Sequence, residues 1–407
     1  MRRLEEGVKI PIKSFVDDIE ETAIEEAKSI ANLPFAESHI ALMPDVHATG
    51  FGMPVGGVLA TDGIIVPEAV SNDIGCGILF VQTDLPVELL DKETDSGTIA
   101  QALTGQIMRN IPTGFNHRKE IHEFAEPYIA ALVNKHDILS EEKEEMMRGI
   151  YQATEILGTL GGGNHFIELQ ENIDDGTIGI MIHSGSRSIG AHIHRQFNER
   201  AKQLNEQWHI HKIAPEIHLP FLPLESNAGQ EYFGWMNFAL DIAKVNREVM
   251  YEIVMYELRK LIDNEIEIKL KINVHHNYAD WENANGKNYL VHRKGAVRAR
   301  SSDIIPIPGA MGSYSYIAKG LENADSFHSA PHGAGRQLTR TAAKDKYSTQ
   351  EVMEDLKENK VILGKNDKSE VADEYKLAYK NIEDVIENSR PLVKVLKKLK
   401  TKIVIKG

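Results

Sequence analysis

The segment TIGIMIH, residues 177–183, determines the fold class because apolar side chains alternate along it. Ile178, Ile180 and Ile182 fall on one face of a β-strand, since successive side chains point to opposite faces. His183 falls on the other face, at the position where the strand is expected to end. The segment therefore predicts a strand that packs one face into a core and presents an imidazole at its end.

Similar runs are distributed over the whole chain. Further strands are expected at 38–43, 57–66, 77–83, 165–170, 266–275, 288–293 and 401–405. Helical spacing of apolar residues predicts helices near 15–32, 117–136, 141–157, 190–212 and 230–263. Strands and helices do not alternate as in a doubly wound sheet, so we expect an α+β fold. No repeat or linker interrupts the chain, and residues 1–407 are expected to form a single compact domain of mixed β-sheets with surrounding helices.

The composition is typical of an intracellular globular protein. Of the 407 residues, 42% are hydrophobic, which is enough for a sizeable core. The segment MRRLEEGVKIPIKS (1–14) lacks the apolar stretch of a signal peptide, and no run approaches the roughly 18 apolar residues of a membrane span. Cys76 is the only cysteine, so no internal disulfide can form, and we expect a cytoplasmic protein with no membrane partner.

The charge distribution restricts the kind of nucleic-acid binding that the chain can perform. A formal net charge of −14 argues against a protein that coats nucleic acid by bulk electrostatics. Basic residues nevertheless cluster in HRKGAVRAR (292–300) and LVKVLKKLKTKIVIKG (392–407). Such local clusters suit a site that binds only the end of a nucleic-acid strand. For the second cluster, a solvated charged helix is an equally good interpretation.

Five candidate metal ligands stand at predicted strand ends or turns: Asp73, Cys76, His165, His183 and His276. A thiolate with a carboxylate and imidazoles is a borderline-soft set that suits Mn, Fe, Co or Zn better than Mg or Ca. The set does not resemble a structural zinc site, because there is no CxxC pair and the ligands are far apart in sequence. Taken singly, the cysteine can be a small buried apolar residue and each histidine an ordinary core or surface group.

Alternation in the segment 165–169 assigns two functions to one short strand. His165 has the parity of Ile167, whereas Phe166 and Glu168 have the opposite parity. We therefore expect this strand to serve a metal on one side and a nucleotide base on the other.

The segment SAPHGAGRQLTR, residues 329–340, places His332 beside small residues and then spaces Arg336 and Arg340 four residues apart. Glycines allow a bulky group to approach the backbone, and arginine side chains bind phosphate in a bidentate manner. This pattern predicts a histidine that meets a nucleotide. A tight turn with a surface histidine is the alternative.

Other polar motifs also suggest phosphate binding. Arg187 follows a candidate ligand in HSGSR, Lys294 lies in HRKGA, and Ser313 and Ser315 lie in IPGAMGSYSYI. The chain has neither a GxxxxGK[ST] P-loop nor the KxDG lysine motif of ordinary nucleotidyl-transferring ligases. Any phosphate chemistry must therefore use a different constellation.

Nine stretches, taken in order, resemble one known family. They are MPDVHATGFGMPVGG (43–57), DIGCG (73–77), GTLGGGNHFIE (158–168), HSGSRSIG (183–190), HHNY (275–278), HRKGAVRAR (292–300), IPGAMGSYSY (307–316), HGAGRQLTR (332–340) and VIKG (404–407). This series resembles the RtcB family of RNA-splicing ligases over nearly the whole chain, in a form similar to the shorter bacterial members. Ala330 and Pro331 before the histidine, and LTR in place of MSR, depart from the usual bacterial pattern and leave substrate preference open.

The resemblance implies a role for each candidate residue. His332 would be the nucleophile that becomes guanylylated by GTP, with Asp45 as a carboxylate beside it. Asp73, Cys76, His165, His183 and His276 would hold two Mn²⁺ ions, with the thiolate able to bridge them. The positions matching the guanylate site are Asn164, Phe166, Glu168, Ser313, Ser315 and Lys406, with Glu168 reading the guanine edge. Those matching the phosphate and RNA side are Arg187, Asn277, Lys294, Arg336 and Arg340.

The implied reaction joins RNA ends that carry a 2′,3′-cyclic phosphate or 3′-phosphate to 5′-hydroxyl ends, in RNA repair or tRNA splicing. It proceeds through a histidine–GMP adduct and then an RNA–(3′)pp(5′)G end. Two alternatives stay open. A metal-dependent cyclic phosphodiesterase would need the metal ligands but not His332, Glu168 or Lys406, and a catalytically idle RNA-binding scaffold would need none of them. The sequence leaves the physiological RNA, any activating protein partner and the oligomeric state open.

Overall fold

The predicted strand is present as Thr177–Ser184 and lies inside the larger of two main sheets. The computed structural model describes residues 2–95, 97–135, 155–214, 217–262 and 265–407. Within these ranges the larger sheet has the strand order Ile268–His275, Gly77–Pro86, Thr177–Ser184, Phe166–Asn172, Val393–Lys406, Tyr314–Gly320 and Ile304–Ile307, and Ile362–Gly364 pairs in parallel with Val393–Lys406.

The smaller sheet is also mostly antiparallel. Its strand order is Arg2–Leu4, Ile12–Ser14, Ala36–His47, Val55–Thr61, Lys287–Lys294 and Asn277–Ala284. Short two-stranded ribbons pair Ile64–Ile65 with Leu222–Pro223, Glu93–Thr94 with Gly97–Thr98, and Ala296–Arg298 with Ser329–Pro331. Antiparallel sheets of this kind allow strands to be joined by short turns, and several of these turns carry site residues.

Helices surround the sheets. The α-helices span Glu21–Ala31, Pro67–Val70, Ile99–Asn110, Glu126–Lys135, Ser188–Gln207, Ile210–Ile213, Asn227–Leu261, Arg340–Lys346, Thr349–Glu358 and Ile382–Asn388. The 3₁₀ turns are Val87–Asp91, Glu123–Ala125, Ala324–Ser326, Lys368–Glu370, Ala372–Glu374 and Lys376–Ala378. No helix in the described ranges is both long enough and apolar enough to cross a membrane.

The apolar face of the strand Thr177–Ser184 packs as its alternation predicts. Ile178, Ile180 and Ile182 lie in one hydrophobic cluster with Val249 of the long helix Asn227–Leu261. Met181, of opposite parity, belongs to a separate cluster on the other face of the sheet. The α+β fold is confirmed. That residues 1–407 form a single domain stays a prediction.

Several elements differ from their predicted bounds. The helix expected over 190–212 is divided at His209, whose backbone is left-handed with φ 55°. The lysine-rich end of the chain is the 14-residue strand Val393–Lys406 rather than a charged helix, because buried residues on it pair within the larger sheet. The strand Asn277–Ala284 was not predicted, since its sequence NYADWENA is mostly polar. Most of the helix expected over 141–157 lies outside the described residues.

Candidate active site

A cleft of about 290 Å³ lies where ends of strands from both sheets meet. It is lined by segments as distant in sequence as His47 and Lys406. The predicted site residues that line it are Asp73, Cys76, Asn164, Phe166, Glu168, His183, His276, Asn277, Lys294, His332, Arg336, Arg340 and Lys406. The fold therefore brings most of the predicted site residues to one surface.

A cysteine and two histidines form the buried end of the cleft. The Cys76 sulfur lies 3.2 Å from Nε2 of His183 and 3.4 Å from Nε2 of His165. The three potential ligand atoms all lie within 4.8 Å of one another. Nδ1 of His165 is 3.1 Å from the Leu160 carbonyl, an arrangement that directs Nε2 toward the sulfur. This geometry suits a borderline-soft cation.

Asp73 and His276 border this cluster. The Asp73 carboxylate lies 3.2 Å from Nε2 of His165. The His276 ring packs against the His183 ring with centroids 5.1 Å apart, and its buried Nδ1 has no hydrogen-bond partner among the described residues. A buried nitrogen without a partner is costly unless a ligand completes it. The donor set therefore fits a metal centre with up to five protein ligands.

Burial sets the protonation of the cluster. It moves the pKa values of His183 and His276 well below the usual histidine range, so both imidazoles are neutral and able to ligate. Burial, reinforced by the charge of Asp73, moves the pKa of the Cys76 thiol well above its usual value. A cation must therefore displace the thiol proton when it binds.

His332 lies at the edge of this cluster and is oriented by a buried carboxylate. Its Nδ1 is 2.6 Å from Oδ2 of Asp45, and its backbone N–H donates to the same oxygen at 3.0 Å. Asp45 is fully buried. The His332 ring also packs on the His276 ring, with centroids 4.6 Å apart. With Nδ1 engaged, Nε2 is the ring nitrogen left for chemistry.

The glycines of the HGAGR motif allow the backbone after His332 to lie close to the backbones of Asp45 and Pro308. A Cβ on Gly335 would overlap the carbonyl oxygen of Asp45, and the residue has φ 73°, which favours glycine. A Cβ on Gly333 would lie 3.2 Å from the Pro308 carbonyl oxygen. Gly335 thus allows the turn after His332 to pack against the strand that carries Asp45.

The Glu168 side chain lines the cleft. Its Oε2 accepts hydrogen bonds from Nε2 of Gln170 at 2.6 Å and from the Thr401 hydroxyl at 3.0 Å. Burial raises the pKa of Glu168 to about 7. Ser315 does not line the cleft, and its hydroxyl instead accepts hydrogen bonds from Gln170 and from the Gly309 N–H. It therefore positions the residues around Glu168.

The strand Phe166–Asn172 begins one residue later than expected, which changes the position of His165. Its alternation starts at Phe166, so His165 lies in the preceding turn and its ring turns toward Cys76. Glu168 and Cys76 consequently line the same cleft. The candidate metal ligand Cys76 and the candidate base-binding residue Glu168 therefore line one cleft, and their roles stay predictions.

Sequence reasoning missed Glu374, a buried carboxylate that binds three basic side chains of the cleft. It accepts hydrogen bonds from Lys406 at 2.8 Å, Arg340 at 2.7 Å, Arg336 at 3.2 Å and the Tyr379 hydroxyl at 2.7 Å. Although burial would raise its pKa, the charges of Lys406 and Arg340 outweigh that effect and lower it to about 2. Its three basic partners are 32 to 38 residues away in sequence, so no local motif marks it.

The remaining predicted residues occupy different surroundings. Asn277 binds two turns, donating to the Asp73 carbonyl at 3.0 Å and accepting from the Gly295 N–H at 2.8 Å. Lys294 lines the cleft, and burial lowers its pKa. Arg187 is not among the residues that line the cleft and donates to the Gly114 carbonyl at 2.6 Å. Ser313 lines a neighbouring groove, and Arg336 lines both this groove and the cleft.

Comparisons with known proteins show similarity along almost the whole chain. The RtcB family, described as tRNA-splicing ligase RtcB, matches residues 26–407. The RNA-splicing ligase RtcB of Escherichia coli K12 is 33% identical, over 98% of this chain and 97% of the relative. The tRNA-splicing ligase RtcB of Archaeoglobus fulgidus is 29% identical over 94% and 91%, and RNA-splicing ligase RtcB homolog 2 of Entamoeba dispar is 31% identical over 95% and 84%.

Proposed function

Because the chain belongs to the RtcB family, we propose that it joins RNA 2′,3′-cyclic phosphate or 3′-phosphate ends to 5′-hydroxyl ends with GTP as co-substrate. Membership makes it an RNA ligase, and the finer proposal concerns its nucleotide, metal and RNA ends. The observation that carries the proposal is the 2.6 Å contact between His332 Nδ1 and Asp45 beside a Cys–His–His cluster. That contact leaves Nε2 as a nucleophile in the cleft.

In the first step His332 takes GMP from GTP. Asp45 accepts the Nδ1–H, which fixes the tautomer and leaves the lone pair on Nε2. Nε2 attacks the α-phosphorus, an N–P bond forms, and the bond to pyrophosphate breaks. Asp45 stabilises the positive imidazole that results.

Glu168 supports guanine recognition. Guanine offers N1–H and a 2-amino group, two donors that one carboxylate accepts together, whereas adenine offers an acceptor at N1. Adenine would leave the buried Glu168 charge unpaired, which costs more than an ordinary hydrogen bond. We therefore propose a preference for GTP over ATP, with Asn164, Phe166 and Lys406 around the guanylate and Ser315 holding Gln170, which binds Glu168.

A metal centre would neutralise phosphate charge in this cleft. The residues that would hold two Mn²⁺ ions are Asp73, Cys76, His165, His183 and His276. The buried cysteine thiol and the neutral imidazoles support this choice. A reducing cytoplasm suits the free Cys76 thiol, which the ligand role requires.

In the later steps the guanylate passes to RNA. A cyclic phosphate is first opened by water to a 3′-phosphate, whose oxygen attacks the guanylate phosphorus and breaks the N–P bond to His332. The 5′-hydroxyl of the second strand then attacks the RNA 3′-phosphorus, loses its proton and releases GMP. The residues proposed for the phosphates of these ends are Asn277, Lys294, Arg336 and Arg340, which line the cleft, whereas Arg187 holds the Gly114 carbonyl.

A strand-joining assay separates this function from its alternatives. Two RNA oligonucleotides, one ending in a 2′,3′-cyclic phosphate and one starting with a 5′-hydroxyl, are incubated with Mn²⁺ and either GTP or ATP. We expect joined product with GTP only. Opening of the cyclic phosphate without joining would support the phosphodiesterase, and RNA binding without either reaction would support the scaffold.

A further inference from the structure

An exposed aromatic ring stands on a fixed turn beside the cleft. Phe115 is 99% exposed, the highest value among the large apolar side chains that the structure describes. The turn beneath it is held by hydrogen bonds from both the backbone N–H and the side-chain amide of Asn116 to the Thr113 carbonyl. The ring is thus presented to solvent by an ordered piece of backbone.

The turn is hydrogen-bonded to Gly161 and Arg187, which lie near the Cys–His–His cluster. The Gly114 N–H donates to the Gly161 carbonyl at 2.8 Å, and the Gly114 carbonyl accepts from Nη2 of Arg187 at 2.6 Å. Gly161 in turn lies against His165, since a Cβ on it would come 2.6 Å from that residue's Nδ1. The backbone next to Phe115 is thus linked through Gly161 to His165.

Two basic residues follow the turn, and the exposed Glu120 stands next to them. Arg118 donates to the carbonyls of Asn110, Leu157 and Gly158. Lys119 is exposed on the same loop. An exposed aromatic ring is the kind of side chain on which proteins stack the bases of single-stranded nucleic acids.

We propose that Phe115 stacks on a nucleobase of single-stranded RNA close to the end that reacts in the cleft. The proposal rests on the proposed ligase function. Stacking needs no particular base, because every base has a π-face, and it would fix the approach of the strand while Lys119 meets a phosphate. A single exposed ring is too small for a stable protein interface, so the RNA base is the preferred occupant.

Three substitutions separate stacking from simple hydrophobicity. Phe115→Ala and Phe115→Leu remove the aromatic face, and Phe115→Trp keeps it. We expect the first two to raise the KM for RNA by about 5- to 150-fold, with Phe115→Trp close to the unmodified enzyme. Guanylylation by GTP without RNA should be unchanged in all three. Trp281→Ala is the matched control, because Trp281 is an aromatic residue 43% exposed on the strand Asn277–Ala284.

A fluorescent base gives a direct readout. Two RNA oligonucleotides carry 2-aminopurine, one beside a 3′-phosphate and one beside a 5′-hydroxyl. We expect the unmodified enzyme to quench at least one probe, and Phe115→Leu to lose that quenching. Unchanged KM and quenching in Phe115→Ala and Phe115→Leu, with normal guanylylation, would overturn this inference alone. Absence of a guanylate and of joining in the unmodified protein would instead overturn the proposed function.

Discussion

At the scale of single residues, the account depends on a few buried side chains whose partners define their chemistry. Asp45 fixes one nitrogen of His332, Glu168 presents acceptor oxygens, and Cys76 faces two imidazole nitrogens. Each pair joins segments that are far apart in sequence. Each can be tested by a substitution that keeps the shape of the side chain.

The Asp45–His332 contact predicts a strong effect of Asp45→Asn. The asparagine oxygen can still accept from Nδ1 and from the backbone N–H of His332, but the amide has no negative charge to stabilise the positive imidazole that forms when Nε2 attacks. We expect the single-turnover rate of GMP attachment to fall by about 100-fold or more, with little change in Tm. An unchanged rate would remove Asp45 from the mechanism.

The raised pKa of Glu168 predicts a pH-dependent use of GTP. With a pKa of about 7, the carboxylate form that accepts two guanine donors increases as pH rises through 7. We expect the KM for GTP to fall over that range, and Glu168→Gln to lose the dependence. The same shift makes Glu168 favour folding below about pH 4.5, and this contribution is lost as pH rises toward 7. Glu171→Gln, on the same strand, is the control and should keep the wild-type profile.

The thiol of Cys76 predicts a selective loss of metal. Cys76→Ser replaces a thiolate by a hydroxyl, a much poorer ligand for a soft or borderline metal. We expect weaker Mn²⁺ binding by calorimetry and loss of all reaction steps at limiting Mn²⁺. His192→Ala, a substitution of an exposed histidine, should leave binding unchanged. Wild-type Mn²⁺ affinity in Cys76→Ser would make Cys76 an ordinary core residue.

At the scale of elements, strand ends and tight turns assemble the site. The strand Ala36–His47 carries Asp45, and the turn after His332 packs on it through Gly335. The strand Val393–Lys406 ends in the cleft with Lys406, which Glu374 binds. Small changes in these packing contacts should therefore move catalytic groups.

Gly335→Ala tests this packing. Positive φ costs an alanine about 1–2 kcal/mol, and here the added Cβ would also overlap the Asp45 carbonyl. Gly286→Ala is matched, because Gly286 has φ 80° but open space around its Cβ position. We expect both variants to lose stability and only Gly335→Ala to lose guanylylation. Equal guanylylation by the two variants would contradict the role of this contact.

At the scale of the whole molecule, the features that could be predicted are those set by residues close together in the sequence. Alternation in Thr177–Ser184 predicted a strand with one apolar face in a core, although the structure buries both faces, and residues beside glycine turns predicted most of the cleft. Glu374 escaped prediction because its four partners converge only in three dimensions. The strand Asn277–Ala284 escaped because its polar sequence lacks an apolar face. The shared cleft for Cys76 and Glu168 escaped because a turn, not the strand, orients His165.

The most direct test of the central claim is the mass of the protein after incubation with GTP and Mn²⁺. We predict an intact-mass increase equal to one GMP, located on His332 by peptide sequencing, and no increase with ATP. His332→Ala should form no adduct while it still binds Mn²⁺, because His332 is the nucleophile and not a ligand. A GMP adduct in His332→Ala, or an equal adduct from ATP in the unmodified protein, would contradict the account.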